Sequence, residues 1–175
     1  GEKWGGKFLR SPDIYLKIIE ENSCHLRKIT DVAEVNEGRP TGSNDYFYVT
    51  KEQAKKFRIE EEYLLNGLMK TKGKSYEIIG SELQDRFFLN LPQEVNWQDK
   101  NVNDYFHYGL KEIVQKSKTL KQKKNWWYFK DRSVAELVAP CGYGDKFFCA
   151  KNAINAVTSN SYTEIRFSDK SYINK

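Results

Sequence analysis

The stretch from Ile29 to Val49 reads ITDVAEVNEGRPTGSNDYFYV and contains two apolar segments separated by a polar one. Spaced apolar residues at positions 29, 32 and 35 predict a strand, a turn and a second strand. The octet GRPTGSND at 38–45 is rich in glycine, proline and short polar residues, so it predicts a loop. The run YFYV at 46–49 predicts a further strand. This stretch therefore predicts strands on both sides of one polar loop.

Helix and strand signals lie on either side of this stretch without a regular order. Pro12 and Asp13 after Ser11 predict the start of a helix of about ten residues, and Thr50 with Gln53 forms a capping-box pattern that opens a short helix toward Phe57. Further helices are predicted over 60–69 and from Asn101 or Asn103 into a lysine-rich segment. Short strands are predicted at 76–79, 86–91, 126–129, 137–139, 147–150 and 163–167. The irregular order predicts an α+β fold with mixed, mostly antiparallel sheets and several short helices rather than a doubly wound sheet.

The composition predicts one folded domain over residues 1–175. The chain is 39% hydrophobic and 14% aromatic, which gives enough apolar area for a core. It has no apolar run of 18 residues and no apolar centre near Gly1, so neither a membrane span nor a signal peptide is predicted, and we expect a cytoplasmic location. The three cysteines show no paired short spacing, so we expect free thiols and no metal site. Because the first residue is glycine, we expect a fragment of a longer protein.

Positive charge is concentrated in the last third of the chain. Residues 1–110 carry 16 basic and 18 acidic side chains, whereas residues 111–175 carry 13 basic and six acidic ones. The densest basic run, 111–132, leads into Trp126-Trp127-Tyr128-Phe129. Lysines beside aromatic rings suit phosphates and bases, although lysine runs are also common on solvated surfaces and aromatic runs in strands of the core. The charge pattern therefore favours a polyanion partner.

Patterns that carry chemistry are missing. Gly73-Lys74-Ser75 lacks the leading glycine of a phosphate-binding loop, because position 68 is leucine. No lysine follows an acidic residue by two positions, as restriction-type nucleases require. His25 and His107 are isolated, which leaves little material for acid–base relays or metal ligands. We therefore predict no catalytic residue in this chain.

Several segments in order resemble one known family. They are Lys3 to Pro12, the pattern L..I.DVAEV..G..TG from Leu26 to Gly42, Asn44 to Tyr48, Asn90 to Pro92, Trp126 to Phe129, and Ser159 to Ile165. This order resembles the target-recognition domain, the TaqI-like C-terminal specificity domain, of adenine-specific gamma-class DNA methyltransferases, including fused type IIG restriction-modification enzymes. The similarity spans nearly the whole chain.

The resemblance implies a module that recognises specific sequences in double-stranded DNA for a covalently linked catalytic domain. That domain would lie upstream of Gly1, bind S-adenosylmethionine and methylate adenine, so no cofactor is expected in this chain. We expect lysines to contact phosphates, the 38–44 loop to reach the bases with Arg39 gripping guanine, and the tryptophans to stack on bases. A purely structural turn, in which Asn44 bonds its own backbone, is the alternative for that loop. The candidate DNA-binding residues are Arg39, Thr41, Ser43, Asn44, Lys72, Lys74, Lys118, Lys121, Lys123, Lys124, Trp126 and Trp127.

Two other functions remain open from the sequence. One is the recognition domain of a type I restriction specificity subunit, which would be followed by long helices. The other is an RNA-binding or protein-binding module without a methyltransferase. An Asn-Pro-Pro-Tyr or Asn-Pro-Pro-Phe motif upstream of Gly1 would favour the methyltransferase interpretation.

Overall fold

The computed structural model describes residues 12–70, 77–84, 86–94, 100–142, 147–169 and 171. Within these ranges the chain forms strands, α-helices and short 3₁₀ and π turns. The helices are α1 (Asp13–Glu21), α2 (Asn44–Phe47), α3 (Lys51–Lys56), α4 (Val102–Tyr108) and α5 (Lys118–Lys121). The strands are β1 (Ala33–Glu37), β2 (Tyr48–Thr50), β3 (Leu64–Leu68), β4 (Ile78–Ile79), β5 (Arg86–Leu89), β6 (Leu137–Pro140), β7 (Ala150–Asn152), β8 (Val157–Thr158) and β9 (Tyr162–Phe167).

The strands form two sheets. One has the order β1-β9-β6-β7-β4 and the other the order β2-β5-β3-β8. Among the described strands, β3 pairs parallel with β8 and β4 pairs parallel with β7, while the remaining pairs are antiparallel. The predicted α+β class with mixed, mostly antiparallel sheets is therefore confirmed.

The helix predicted over 60–69 is wrong, because residues 64–68 form strand β3. A 3₁₀ turn at Glu61–Tyr63 leads into β3, where Leu65 lies opposite Phe88 of β5. The strands approach so closely that a Cβ atom on Gly67 would lie 2.8 Å from the backbone nitrogen of Phe88. Leucine and glutamate produced the helical signal, but pairing with neighbours on both edges outweighs that weak preference.

The larger of two apolar clusters is rich in aromatic residues. The rings of Tyr46 and Tyr105 stack with centroids 4.7 Å apart. Each hydroxyl donates to the other residue's backbone carbonyl, at 3.2 Å from Tyr46 and 2.9 Å from Tyr105. Burial raises the pKa of both hydroxyls, so they remain protonated donors. This reciprocal pair joins α2 to α4.

Side chains cap the N-termini of helices α3 and α4. Thr50 and Gln53 form the predicted capping box, in which Thr50 N donates to Gln53 Oε1 at 2.9 Å and Gln53 N donates to Thr50 Oγ1 at 3.1 Å. Helix α4 begins after Asn101, as predicted. Its cap, however, is the Glu60 carboxylate, which accepts from Asn101 N at 2.7 Å and from Val102 N at 3.1 Å. This cap joins segments about forty residues apart in the sequence, so local pattern could not reveal it.

Two predicted strands are absent, and the strand predicted at 46–49 is found only from Tyr48 to Thr50. Residues 126–129 form turns with a single bridge between Tyr128 and Leu91, because the Trp126 ring turns into the core. Residues 26–31 contain a 3₁₀ turn, closed where Lys28 N donates to Asp31 Oδ2 at 3.2 Å. Residues 44–47 form α2, so strand structure starts only at Tyr48.

The other predicted elements agree with the structure within a few residues. Helix α1 is present, with Pro12 as its N-cap and without a buried residue. Strands β4, β5, β6, β7 and β9 lie at or beside their predicted positions. In the described residues, no helix has both the length and the apolar character needed to cross a bilayer.

Replacing Gly109 by alanine tests the packing of α4 against α2. A Cβ atom there would overlap the ring of Tyr46, which is 1% exposed and held by Tyr105. Alanine favours helix by up to about 1 kcal/mol, but overpacking costs about 1–3 kcal/mol. We therefore expect Gly109→Ala to lower the free energy of unfolding in urea by about 1 kcal/mol or more.

Gly142→Ala is the matched control, because a Cβ atom at Gly142 meets nothing within 4 Å. Its free energy of unfolding should stay within about 0.5 kcal/mol of the wild type. A Gly109→Ala protein as stable as this control would contradict the packing described here.

Candidate nucleic-acid interface

The loop at residues 38–44, here called the glycine loop, lies where the two sheets meet. Gly38 N donates to the carbonyl of Tyr162 in β9 at 2.8 Å, and Arg39 N donates to the carbonyl of Thr158 in β8 at 2.7 Å. A Cβ atom on Gly38 would overlap the carbonyl oxygen of Ser159. Because β8 and β9 belong to different sheets, the loop is held against the junction between them.

Side-chain hydrogen bonds connect the glycine loop to the turn after β8. Thr41 Oγ1 donates to Asn44 Oδ1 at 2.7 Å, and Asn44 Nδ2 donates to Asn160 Oδ1 at 3.0 Å. Ser43 N donates to Thr41 Oγ1 at 3.1 Å. Asn44 therefore bonds other side chains rather than its own backbone, and Ser43 and Asn44 remain half-buried at the surface.

The burial of Thr41 corrects one predicted contact. Thr41 is 0% exposed, and its hydroxyl is engaged by Asn44 and by Ser43 N. A hydroxyl in this position cannot reach DNA. Thr41 instead fixes the geometry of the loop.

The predicted lysines lie on a segment that packs against the glycine loop. Gly42 has a φ of 81°, and a Cβ atom there would lie 3.1 Å from Leu120 Cδ2. Leu120 is fully buried, and Ser117 caps this turn by accepting from Leu120 N at 3.2 Å. The buried leucine thus anchors residues 118–124, here called the lysine segment, beside the loop.

The lysines of this segment point to solvent. Lys118, Lys121, Lys123 and Lys124 are all exposed. Lys123 Nζ lies 5.8 Å from the centroid of the Phe129 ring, a cation–π contact. Among the described residues, no carboxylate lies within ion-pair distance of any of the four. Their charge is therefore available to an anionic partner.

The two tryptophans have different environments: Trp126 lies in the core and Trp127 lies partly at the surface. Trp126 is 4% exposed and stacks on Phe106 with centroids 5.2 Å apart, so the predicted stacking of Trp126 on a base is wrong. Trp127 is half-buried and donates from Nε1 to the carbonyl of Pro92 at 3.2 Å. Trp126 belongs to the apolar cluster that also contains Leu120 of the lysine segment, and Phe129 of the aromatic run packs against that cluster. The predicted contacts at Lys72 and Lys74 lie outside the described residues.

Arg39 joins the glycine loop to the segment after Phe129. Its Nη1 donates to the carbonyl of Lys130 at 2.7 Å, and its side chain is half-buried. Burial, and after it the nearby charge of Arg132, lowers the pKa of Arg39. Part of its guanidinium is therefore committed to the fold, and readout of guanine by the remaining donors stays a prediction.

Sequence reasoning missed a buried ionic cluster under the junction. Glu164 is 3% exposed, accepts from Thr158 Oγ1 at 2.7 Å, and pairs with both Arg132 and Arg166. Arg132 also donates to the carbonyl of Glu37 at 2.8 Å. Alternate positions of β9 place Glu164 and Arg166 on the same buried face, where apolar residues would be expected. Burial alone would raise the pKa of Glu164, but its hydrogen bonds outweigh this effect and lower the pKa.

Metal-ligand geometry is not found near these residues. In the ranges that the structure describes, no three His, Cys, Asp or Glu side chains come together as ligands. The candidate site is instead a basic surface on the lysine segment, beside a loop of hydroxyl and amide side chains. Exposed lysines and side-chain amides are groups that can contact phosphate oxygens.

The fold and this surface define an α+β domain with a basic face. The family described as "Type II methyltransferase M.Eco57I, C-terminal domain" matches residues 1–175, and the chain belongs to that family. By this description the chain is the C-terminal domain of a methyltransferase of a restriction-modification enzyme, a region separate from the catalytic domain. The resemblance inferred from the sequence is confirmed.

One curated relative agrees with this assignment, and one solved structure agrees with the fold. Type II methyltransferase M.AccI of Acinetobacter calcoaceticus is 26% identical over 143 residues, which cover 77% of this chain and 25% of that protein. The crystal structure of the type IIG restriction endonuclease BpuSI matches 91% of this chain and 21% of its own, with a TM-score of 0.55 and 14% identity. The second match supports the fold alone. The chain spans about a quarter of the length of its curated relative.

Acid should weaken the protein through Glu164. Because its pKa is lowered in the folded state, its stabilising contribution is present above the ordinary glutamate pKa of about 4.5 and is lost as the pH falls through the folded value. We expect the free energy of unfolding to fall between pH 6 and pH 3. Glu164→Gln should show a shallower fall, and at pH 7 it should be less stable by about 3 kcal/mol, because the buried Arg166 and the half-buried Arg132 lose their charged partner.

Urea unfolding at several pH values measures both effects. Glu20→Gln, an exposed change on α1, is the control and should follow the wild type. If the Glu164 variant kept the full acid sensitivity of the wild type, the cluster would not be its source. Should Glu164→Gln fail to fold, carboxyl NMR titration of the wild type gives the pKa directly.

Proposed function

We propose that this domain recognises a specific sequence in double-stranded DNA for a linked adenine methyltransferase. The observation that carries the proposal is the lysine segment, whose four exposed ammonium groups lie beside the glycine loop without a carboxylate partner among the described residues. The family and M.AccI are both described as type II methyltransferases, which supports DNA as the polyanion.

The two parts of the surface have different tasks in this proposal. Lysines contact phosphates and fix the position of the duplex without reading its sequence. The side-chain amides of the loop region would contact base edges in the major groove. Binding strength then depends on salt, whereas preference between sequences depends on the amides.

The chemistry belongs to the rest of the enzyme. In this proposal a catalytic domain upstream of residue 1 holds S-adenosylmethionine and transfers its methyl group to an adenine extruded from the duplex. This chain holds the flanking duplex in register, so that the same base enters that active site each time. We place the enzyme in the cytoplasm, where it meets DNA. A fusion of the parent enzyme to a restriction endonuclease, in the arrangement of type IIG enzymes, is compatible with this proposal.

Removing two lysines tests the phosphate contacts. We expect Lys121→Ala with Lys123→Ala to weaken binding to every duplex sequence, by roughly tenfold at 0.1 M salt, because two phosphate contacts are lost. The slope of log affinity against log salt should become shallower by about 1.8. Fluorescence anisotropy with labelled 20-base-pair duplexes, titrated at several salt concentrations, measures both quantities.

The control removes the same charge elsewhere. Lys17 and Lys151 are exposed and lie outside the lysine segment, so Lys17→Ala with Lys151→Ala should leave the salt slope nearly unchanged. Equal losses in the two double variants would show that net charge, not this surface, determines binding. Tighter binding to an RNA duplex of the same sequence would favour an RNA-binding module instead.

A further inference from the structure

Asn160 combines an exposed amide with a fixed backbone. The side chain is exposed in the turn between β8 and β9, while its neighbours Ser159 and Tyr162 are buried at 0% and 1% exposure. Ser159 Oγ donates to the carbonyl of Met69 at 3.0 Å, and Tyr162 N donates to the carbonyl of Ser159 at 3.0 Å. The turn is therefore anchored on both sides of Asn160, and little conformational entropy is lost if its side chain binds a partner.

The amide of Asn160 is also held in one orientation. Its Oδ1 accepts from Asn44 Nδ2 at 3.0 Å, and Asn44 in turn is held by the buried hydroxyl of Thr41 at 2.7 Å. Among the described residues, no acceptor takes a hydrogen bond from Asn160 Nδ2. One outward donor and the second lone pair of Oδ1 therefore remain for a partner.

This arrangement suits one base edge in particular. An asparagine amide can donate to N7 and accept from the N6 amino group of adenine in the major groove. Because Gly42 of the glycine loop packs on Leu120, this amide belongs to the same surface as the lysine segment. We propose that Asn160 reads an adenine in the recognition sequence, with Asn44 as the positioning residue that aims it. This inference rests on the proposed function.

The proposal identifies a residue that the sequence analysis did not choose. Thr41 is buried, and the side chain of Asn44 already forms hydrogen bonds with Thr41 and Asn160. Asn160 is the end of this chain of hydrogen bonds and the member that faces solvent. The buried residues of the loop thus act through it.

The test is a selection of DNA by the 175-residue chain from duplexes with ten random base pairs. The wild type should enrich a motif that contains an adenine. Asn160→Ala should reduce the preference at one adenine position by roughly tenfold and leave the other positions unchanged. Asn44→Ala should reduce the preference at that same position less strongly.

Asn160→Asp gives the sharpest result. A carboxylate still accepts from Asn44 Nδ2 but replaces the outward donor by an acceptor, so it cannot donate to adenine N7 and can accept from the cytosine amino group. We expect the preference at that position to shift from adenine to cytosine. A residue with only a structural role would not produce this shift. Relative enrichment, rather than affinity, is the readout, because the added negative charge weakens binding to all sequences.

Asn101→Ala is the matched control, because Asn101 is exposed and its side chain forms no capping hydrogen bond. It should enrich the wild-type motif, and thermal unfolding should show that all variants are folded. The inference is overturned if the Asn160 variants enrich the wild-type motif, or if the wild type binds duplexes without enriching any motif. A wild-type chain that binds no duplex at low salt would instead overturn the proposed function itself.

Discussion

The close contact between the glycine loop and the β8–β9 turn is the constraint on which the rest of the structure depends. It brings backbone against backbone where the two sheets meet, and only glycine at position 38 permits this approach. On its solvent side the contact positions Asn44 and Asn160. On its inner side lies the ionic cluster around Glu164, whose partners come from β9 and from the segment before β6.

The cluster is an unusual way to join two sheets. Burying a carboxylate and an arginine is costly unless hydrogen bonds satisfy the charges. Here Thr158 and backbone carbonyls supply several of them, while Arg132 Nε and Arg166 Nη1 have no hydrogen-bond partner among the described residues. Apolar packing would tolerate small displacements of one sheet against the other, whereas these directional bonds do not. The surface next to the cluster is therefore held in a fixed position, as the proposed contact with a DNA duplex would require.

Sequence patterns predicted the elements whose signals are local. The capping box at Thr50 and Gln53, the strand predicted at 163–167 and most of the loop predicted at 38–45 depend on neighbouring residues, and these were found. Features fixed by distant partners were missed: residues 64–68 form the strand β3 because β5 and β8 pair with it, and the cap of the correctly predicted helix α4 comes from Glu60. The exposed lysines could be recognised from charge alone. The burial of Thr41 and Trp126 could not, because it depends on which side of each segment faces the core.

The position of β9 has a consequence for how the protein is made. This strand, at residues 162–167, lies between β1 and β6 and pairs with both, although β1 is complete more than a hundred residues earlier. During translation the backbone groups of β1 and β6 that pair with β9 stay unpaired until β9 leaves the ribosome. Such edges invite pairing with other chains, so the domain is most vulnerable to aggregation in the last moments of its synthesis.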